Sequence, residues 1–185
     1  MIIRLADCPS QPWKNGLGRT REIAVQPSTA GSEEFVWRVS IADVDSAAPF
    51  SRFPGIDRQI VLLDGAGFTM RLDDGQVHAL TTPLAPFAFA GERGVEIALA
   101  GGATQDFNLM LRRGRAHGRV LPWLTAGERR LDKSTVLVYC ARGTIATGEG
   151  PLHAGDAWRP APADGLLELH HGAAALAVQV DIPAG

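Results

Sequence analysis

The amino-acid sequence predicts an all-β protein built as two small β-barrels or β-sandwiches in tandem. Apolar and polar residues alternate in many short segments, as they do in half-buried strands, whereas helical periodicity is almost absent. The 185 residues include 21 glycines and 12 prolines, an above-average share that favours short strands joined by turns. The strand pattern of the first half of the chain also recurs in the second half.

The first half of the chain contains short predicted strands that end at turn signals. Residues 37–42 alternate, so that Arg38 and Ser40 share one face of a strand while Trp37 and Val39 share the other. Strands at intervals of roughly 8–12 residues are typical of a β-sandwich or barrel. Further strands are predicted at residues 21–25, 59–63, 68–72, 85–90, 95–99 and 106–111.

The second half of the chain repeats this plan. Residues 134–139, followed by Gly143, resemble residues 58–63, followed by Gly65, in pattern but not in identity. Residues 152–158 resemble residues 80–87 in role, and two closing strands are predicted at residues 166–170 and 175–180. The repeat predicts a duplicated β-domain.

We expect the domain boundary where hydrophobic residues give way to arginine and glycine. Residues 1–112 then form an N-terminal barrel with a candidate ligand pocket, and residues 113–185 form a C-terminal barrel, with exchange of strands between them allowed. The basic run at the boundary lacks the interleaved aromatic residues of a nucleic-acid surface, which favours a solvated connection. Its arginines are Arg112, Arg113, Arg115 and Arg119.

Composition and charge narrow the range of partners and compartments. The formal net charge of −2 provides no electrostatic attraction to nucleic acid or to an anionic membrane. No apolar run approaches the roughly 18 residues that span a bilayer, and Arg4 interrupts the N-terminus before a signal peptide can develop. Cys8 and Cys140 fit a reduced thiol pair, so we expect a cytoplasmic protein.

The sequence shows no signature of a metal site, a cofactor site or a serine nucleophile. No two of the five histidines stand at i, i+2, and neither CxxC nor GxSxG occurs. The adjacent His170 and His171 would point to opposite faces of a strand. We therefore predict no metal, no cofactor and no catalytic residue.

A glycine-rich segment provides the first group of candidate binding residues. Between Asn15 and Thr20 two glycines would let backbone N–H groups approach a ligand, and the side chains of Asn15, Arg19 and Thr20 add donors. The segment does not contain the GxxxxGK[ST] sequence motif of a P-loop. An irregular turn that leads into a strand explains it equally well.

Two pairs of polar residues, each spaced at i, i+2 along a predicted strand, provide the second group of candidate binding residues. Arg38 with Ser40, and Asp106 with Asn108, could together bind a zwitterion, with Arg38 holding its carboxylate. A solvent-facing strand surface, or an Arg38–Asp106 ion pair, explains the same pattern. The aromatic turn at residues 50–55 could belong to the core or form one wall of a pocket.

The chain resembles the HutD/Ves family, and the resemblance covers its first two-thirds. It is carried by four segments in the family's order, namely Pro12–Thr20, Trp37–Ala42, Phe50–Gly55 with Arg58, and Asp106–Met110. The resemblance implies a bicupin, with two fused RmlC-like cupin barrels, in a bacterial cytoplasmic protein. Metal-dependent cupins carry an HxH-x-E type of ligand set, which both halves of this sequence lack.

The resemblance also implies a role. HutD members are associated with histidine utilisation and are thought to bind a urocanate- or formiminoglutamate-like intermediate and restrain the pathway, whereas the Ves branch is associated with cold stress. We expect a metal-free bicupin that binds a carboxylate-bearing metabolite without turning it over and that could form a homodimer. The alternatives are an enzyme that uses Asp106 for acid–base chemistry, a Ves-like stress protein and a protein-interaction module.

The predicted pocket lies in the N-terminal barrel. Arg38 and Arg58 are the candidates for carboxylate binding, and Asp106 is expected to accept a cationic or N–H group. Amide and hydroxyl groups would orient the ligand, and aromatic rings would form the walls. The predicted ligand-binding residues are Trp13, Asn15, Arg19, Thr20, Arg38, Ser40, Phe50, Arg58, Asp106 and Asn108.

Overall fold

A computed structural model describes residues 1–13, 16–28, 34–161 and 165–183. Secondary structure in this part of the chain consists of β-strands and one short 3-10 helix at Leu5–Asp7, which confirms the all-β prediction. No helix among the described residues has the length and apolarity needed to cross a membrane. The chain divides into two compact units, Pro9–His117 and Met1–Cys8 with Gly118–Gly185.

The N-terminal unit consists of two antiparallel sheets. Its strands are β2 (Ser10–Pro12), β3 (Gly18–Pro27), β4 (Phe35–Val44), β5 (Ile56–Asp64), β6 (Phe68–Leu72), β7 (Val77–Leu80), β8 (Pro86–Ala90), β9 (Val95–Leu99) and β10 (Thr104–Arg112). The six-stranded sheet has the order β2-β3-β4-β10-β5-β8, and the three-stranded sheet has the order β7-β6-β9. Apolar side chains of both sheets pack into one core, including Val44, Leu62, Phe68 and Met70.

The C-terminal unit also consists of two antiparallel sheets. Its strands are β1 (Ile2–Ile3), β11 (His117–Trp123), β12 (Gly127–Arg130), β13 (Thr135–Arg142), β14 (Thr144–Thr147), β15 (Gly150–His153), β16 (Ala157–Trp158), β17 (Leu166–Leu169) and β18 (Ala174–Asp181). The sheet orders are β1-β16-β13-β18-β11 and β12-β17-β14-β15. The core between them contains Val138, Cys140, Ile145 and Trp158.

The two units share the topology of six consecutive strands. Strand β5 pairs with β8 and β10, and β6 pairs with β7 and β9. In the same way, β13 pairs with β16 and β18, and β14 pairs with β15 and β17. Strands β5–β10 therefore correspond to β13–β18, and the chain contains a duplicated β-sandwich.

The glycines that mark the repeat are required by the backbone. Gly65 and Gly143, which follow the paired strands β5 and β13, have φ angles of +86° and +74°. A Cβ atom at Gly65 would lie 2.5 Å from the carbonyl oxygen of Ala103, and one at Gly143 would lie 2.8 Å from the Cα atom of Ala173. Both turns therefore need a residue without a side chain.

The structural boundary differs from the expected one in two respects. It falls between His117 and Gly118 instead of between residues 112 and 113, and Met1–Cys8 belongs to the C-terminal unit. The N-terminus joins this unit because β1 pairs with β16. Arg113 belongs to the N-terminal unit because it forms ion pairs with Asp57 and Glu92, so the basic run is not only a solvated connection.

Candidate functional site

The N-terminal unit contains a cavity of about 550 Å³ on the inner face of its six-stranded sheet. Side chains of β2, β3, β4, β5 and β10 and of the segment between β4 and β5 line it. The lining residues are Gln11, Pro12, Trp13, Thr20, Arg38, Ser40, Ala42, Pro49, Phe50, Ser51, Phe53, Arg58, Asp106, Asn108 and Met110.

Strand register brings the predicted polar pairs together. Ser40 lies opposite Asn108, and Arg38 lies opposite Met110, across the β4–β10 pair. On the other side of β10, Met110 lies opposite Arg58. Because residues at i, i+2 point to one face of a strand, these side chains all face the cavity.

Three polar side chains form a buried hydrogen-bonded chain along one side of the cavity. Arg58 donates from both Nε and Nη2 to Oδ1 of Asn108, at 3.2 and 3.0 Å. The Nδ2 of Asn108 donates to Oδ1 of Asp106 at 3.1 Å. Since a guanidinium can only donate, Arg58 fixes the orientation of the Asn108 amide and directs its NH₂ group toward Asp106.

Burial changes the acid–base behaviour of both charged ends of this chain. Desolvation raises the pKa of Asp106 to about 7, against the opposing effects of the Arg58 charge and the Asn108 hydrogen bond. Desolvation also lowers the pKa of Arg58 to about 10, against the opposing effect of Asp106. Arg58 therefore keeps its positive charge at neutral pH, whereas Asp106 titrates there.

The guanidinium of Arg38 contacts a methionine sulfur and two aromatic rings instead of a carboxylate. Its Nη2 lies 3.2 Å from Sδ of Met110, and its guanidinium carbon lies 5.2 Å from the ring centre of Phe35 and 5.8 Å from that of Phe53. The described residues show no Arg38–Asp106 ion pair, so this alternative explanation of the sequence pattern is not what the structure contains. The charge of Arg38 is available to a ligand.

Aromatic rings surround the second arginine as well. The guanidinium carbon of Arg58 lies 5.3, 5.5 and 4.9 Å from the ring centres of Phe50, Phe53 and Phe89. The aromatic turn predicted at residues 50–55 therefore forms a wall of the cavity. Phe50 also packs edge-on against Phe68 of the core at 5.7 Å, so the turn belongs to both.

The structure brings together most of the predicted binding residues. The cavity is lined by Trp13, Thr20, Arg38, Ser40, Phe50, Arg58, Asp106 and Asn108. Arg19 is exposed and does not line the cavity, because it alternates with Thr20 along β3 and points to the other face. Asn15 lies outside the described residues, so the structure does not place it. Trp13 is fixed by a 2.7 Å hydrogen bond from Nε1 to Oγ1 of Thr20.

Several lining residues were not predicted from the sequence. Met110 lies four residues after Asp106 and two after Asn108, so strand alternation alone could have identified it. Gln11 reaches the cavity because β2 pairs it with Thr20, and no local pattern indicates this pairing. Within the described part of the chain, no group of three or more His, Cys, Asp or Glu side chains is placed to hold a metal ion.

Comparison with known proteins places the chain in a family. The HutD family model matches residues 5–177. A Pseudomonas putida protein described as an uncharacterized 21.2 kDa protein in the hutC 3′ region is 42% identical over 145 residues, which cover 78% of this chain and 75% of that protein. Protein Ves of Escherichia fergusonii is 39% identical over 138 residues, covering 74% of this chain and 66% of Ves.

Solved structures agree with this assignment. HutD from Pseudomonas fluorescens SBW25 superposes with a TM-score of 0.88 at 30% identity, covering 100% of this chain and 99% of that one. YlbA from E. coli, at 9% identity and a TM-score of 0.67 over 100% of this chain and 91% of that one, shares the fold alone. The family resemblance expected from the sequence is therefore confirmed, and the chain belongs to the HutD family.

Proposed function

We propose that the cavity of the N-terminal unit binds a small carboxylate-bearing metabolite without a metal ion. The protein with this metabolite bound then regulates histidine utilisation. The observation that carries this proposal is the pair of guanidinium groups in a cavity walled by aromatic rings. Among the described residues that line the cavity, two are arginines and one, Asp106, carries a carboxyl group. A cavity with this charge attracts an anion.

The two arginines suit a carboxylate in geometry as well as in charge. A guanidinium presents several N–H donors in one plane and can bind both oxygens of a carboxylate. Arg38 uses Nη2 toward the weak acceptor Sδ of Met110, and Arg58 uses Nε and Nη2 toward Asn108. Each arginine therefore retains a second Nη nitrogen for a ligand.

The dimensions and walls of the cavity indicate the size of the ligand. A volume of about 550 Å³ lies within the roughly 300–1,000 Å³ of small-molecule sites. Aromatic rings exclude water and strengthen the ion pair with the ligand, and the hydroxyl of Ser40 adds one polar contact at the sheet face. These features support a compact, partly apolar anion.

The relatives suggest the physiological setting. One relative is described by its position in the hutC 3′ region, and a solved structural neighbour is named HutD. We take a urocanate- or formiminoglutamate-like intermediate as the ligand and the cytoplasm as the location, where Cys8 and Cys140 stay reduced. A Ves-like role is the alternative supported by the relatives named Ves.

Calorimetry with trans-urocanate and with N-formimino-L-glutamate tests the proposal. We expect saturable binding that Arg38→Ala weakens by roughly 30-fold or more, because truncating one partner of a buried charge pair costs about 2–5 kcal/mol. Arg71→Ala, at an exposed arginine on β6, is the matched control and leaves affinity unchanged. Binding no tighter than millimolar, or an unchanged affinity of Arg38→Ala, contradicts the proposal.

The raised pKa of Asp106 favours a second candidate function. A buried carboxyl group that titrates near pH 7 is suited to general acid–base catalysis. Incubation of the protein with the same two compounds, followed by NMR, separates the two functions. New product that disappears with Asp106→Asn supports an enzyme, whereas saturable binding without product supports the regulator.

A further inference from the structure

Asp106 occupies an unusual position for a carboxyl group. Its side chain lines the cavity, yet the residue is only 1% exposed. One carboxyl oxygen, Oδ1, accepts the hydrogen bond from Asn108, while the buried Oδ2 has no hydrogen-bond partner among the described residues. A buried polar atom without a partner is costly, so the environment of Oδ2 is incomplete without a ligand.

The nearest cation does not compensate this carboxyl group directly. Arg58 donates from Nε and Nη2 to Oδ1 of Asn108, and Asn108 in turn donates to Asp106, so the amide links the guanidinium to the carboxyl group. Arg58 therefore acts on Asp106 only through space, and its effect is smaller than that of desolvation. An ionised Asp106 would be a buried carboxylate with one hydrogen bond.

Few other charges face Asp106 from the surrounding elements. Arg38 lines the same cavity from β4, and Asp43 acts from the end of that strand, where Arg21 and Gln105 bind it at 2.8 and 2.7 Å. The segment between β4 and β5 lines the cavity with the uncharged residues Pro49, Phe50, Ser51 and Phe53. The opposing three-stranded sheet contributes apolar side chains to the core.

We infer that the cavity binds its anion together with one proton. Asp106 keeps this proton on Oδ2 and donates a hydrogen bond from it to the ligand. This inference rests on the proposed function and adds the protonation state of the bound complex. An anion beside Arg38 and Arg58 places a second negative charge near Asp106. The repulsion between the two charges favours the neutral carboxyl group, whose O–H then gives Oδ2 a hydrogen-bond partner.

The inference revises the role expected for Asp106 from the sequence. As a donor, Asp106 selects a ligand that presents a hydrogen-bond acceptor, such as a carbonyl, an imine nitrogen or a carboxylate oxygen, instead of a cationic group. Because the carboxyl group of the free protein titrates near pH 7, the proton is taken up from solvent within the neutral range. Affinity for the anion should therefore fall as the pH rises above 7.

Titration with sodium formate from pH 6 to 8.5 tests this inference, because formate is a carboxylate with no group that ionises in this range. We expect the dissociation constant, measured by NMR, to rise about 30-fold from pH 6 to 8.5, the linkage expected when only the protonated site binds. Asp106→Asn, which is neutral at every pH, should bind formate with nearly constant affinity. Asp43→Asn, the matched control, should keep the pH dependence of the wild type.

The outcomes separate this inference from the proposed function. Saturable formate binding with the same affinity at pH 6 and 8.5 overturns the proton-coupled binding and leaves the carboxylate site intact. No saturable binding at any pH overturns the proposed function, and this inference with it. The carboxyl ¹³C signal of Asp106 in the wild type provides a readout without a variant: saturating formate should raise its apparent pKa, and an unchanged or lower value contradicts the inference.

Discussion

The two units have the same strand topology, but their last strands, β10 and β18, present side chains of different polarity to the core. Leu62 on β5 and Cys140 on β13 each lie three residues before the glycine that follows their strand. Leu62 lies opposite Asp106 on β10, and Cys140 lies opposite Ala175 on β18. A carboxylic acid in the N-terminal unit therefore corresponds to a fully buried alanine in the C-terminal unit.

The next inward-facing position of the two strands shows the same replacement of a polar side chain by alanine. Ile60 lies opposite Asn108, whereas its counterpart Val138 lies opposite Ala177. On their other side, Ile60 and Val138 lie opposite Phe87 and Trp158, respectively. Where β10 has an acid and an amide side chain, β18 has two alanines. On the other side of β13, β16 carries Trp158, whose ring is larger than that of Phe87.

In the C-terminal unit, the core beside these alanines contains a large aromatic side chain. Trp158 is fully buried among apolar side chains, and its Nε1 donates to Oε1 of Glu149 at 3.0 Å. Ala175 belongs to the same core cluster as the indole, and the buried carboxylate of Asp156, two residues before Trp158, forms an ion pair with Arg4. A duplicated scaffold can thus keep one copy for stability while the other carries a site.

The largest effect on stability is expected when a carboxylate replaces Ala175, the counterpart of Asp106 in the C-terminal unit. Ala175→Asp should destabilise the protein by about 4 kcal/mol or more, because the new charge would be buried in a cluster of apolar core side chains. Chemical denaturation followed by circular dichroism measures this loss. Ala79→Asp, at an exposed alanine on β7, is the control and should change stability by at most about 0.5 kcal/mol. Equal stability of Ala175→Asp and wild type would show that both inner faces tolerate charge.

A smaller, pH-dependent effect is expected at Asp106. Its pKa is raised to about 7 in the folded protein, so between about pH 4 and pH 7 the folded state holds a proton that the unfolded state has lost. This contribution makes stability decrease as the pH rises through that window. Asp106→Asn removes it, so the variant should gain roughly 2–4 kcal/mol over the wild type between pH 4 and pH 8.

Denaturation curves of both proteins at pH 4, 6 and 8 measure this difference. Asp43→Asn, whose carboxylate is bound by Arg21 and Gln105, is the control and should not reproduce the gain. A difference between Asp106→Asn and the wild type that stays constant over this range would mean that burial does not raise the pKa of Asp106.

The smallest effect is expected at the rim of the cavity. Thr20→Val removes the acceptor for Nε1 of Trp13 and should cost about 1 kcal/mol, since it leaves one partly buried donor unpaired. Thr20→Ser keeps the hydroxyl and should retain most of the stability. Urea denaturation of the two variants makes the comparison, and a loss no larger for Thr20→Val than for Thr20→Ser would show that this hydrogen bond does not stabilise the protein.

Much of the site could be predicted because strand alternation is a local property. Arg38 with Ser40, and Asp106 with Asn108, stand at i, i+2, so each pair had to share a face. What alternation does not reveal is which face lies inside. Both faces of β4 are largely buried, and Trp37 and Val39 on the other face are as inaccessible as any core residue.

Arg19 and Gln11 illustrate the limit of local patterns. Both Arg19 and Thr20 are polar residues in the same motif, and only the pairing of β3 with its neighbours decides that Thr20 faces the cavity. Gln11 reaches the cavity through the same pairing, although its own segment has no alternation to indicate a strand. A one-residue shift in register would have exchanged the two faces.

The sequence by itself determined the all-β class, the internal repeat and the glycines of its turns, because alternation and backbone conformation depend on neighbouring residues. Only the tertiary structure decided that Asn108 separates Arg58 from Asp106, that Met110 and two aromatic rings hold Arg38, and that Met1–Cys8 completes the C-terminal unit. These features join residues far apart in the chain, and their positions follow from strand order and register, which no local pattern specifies.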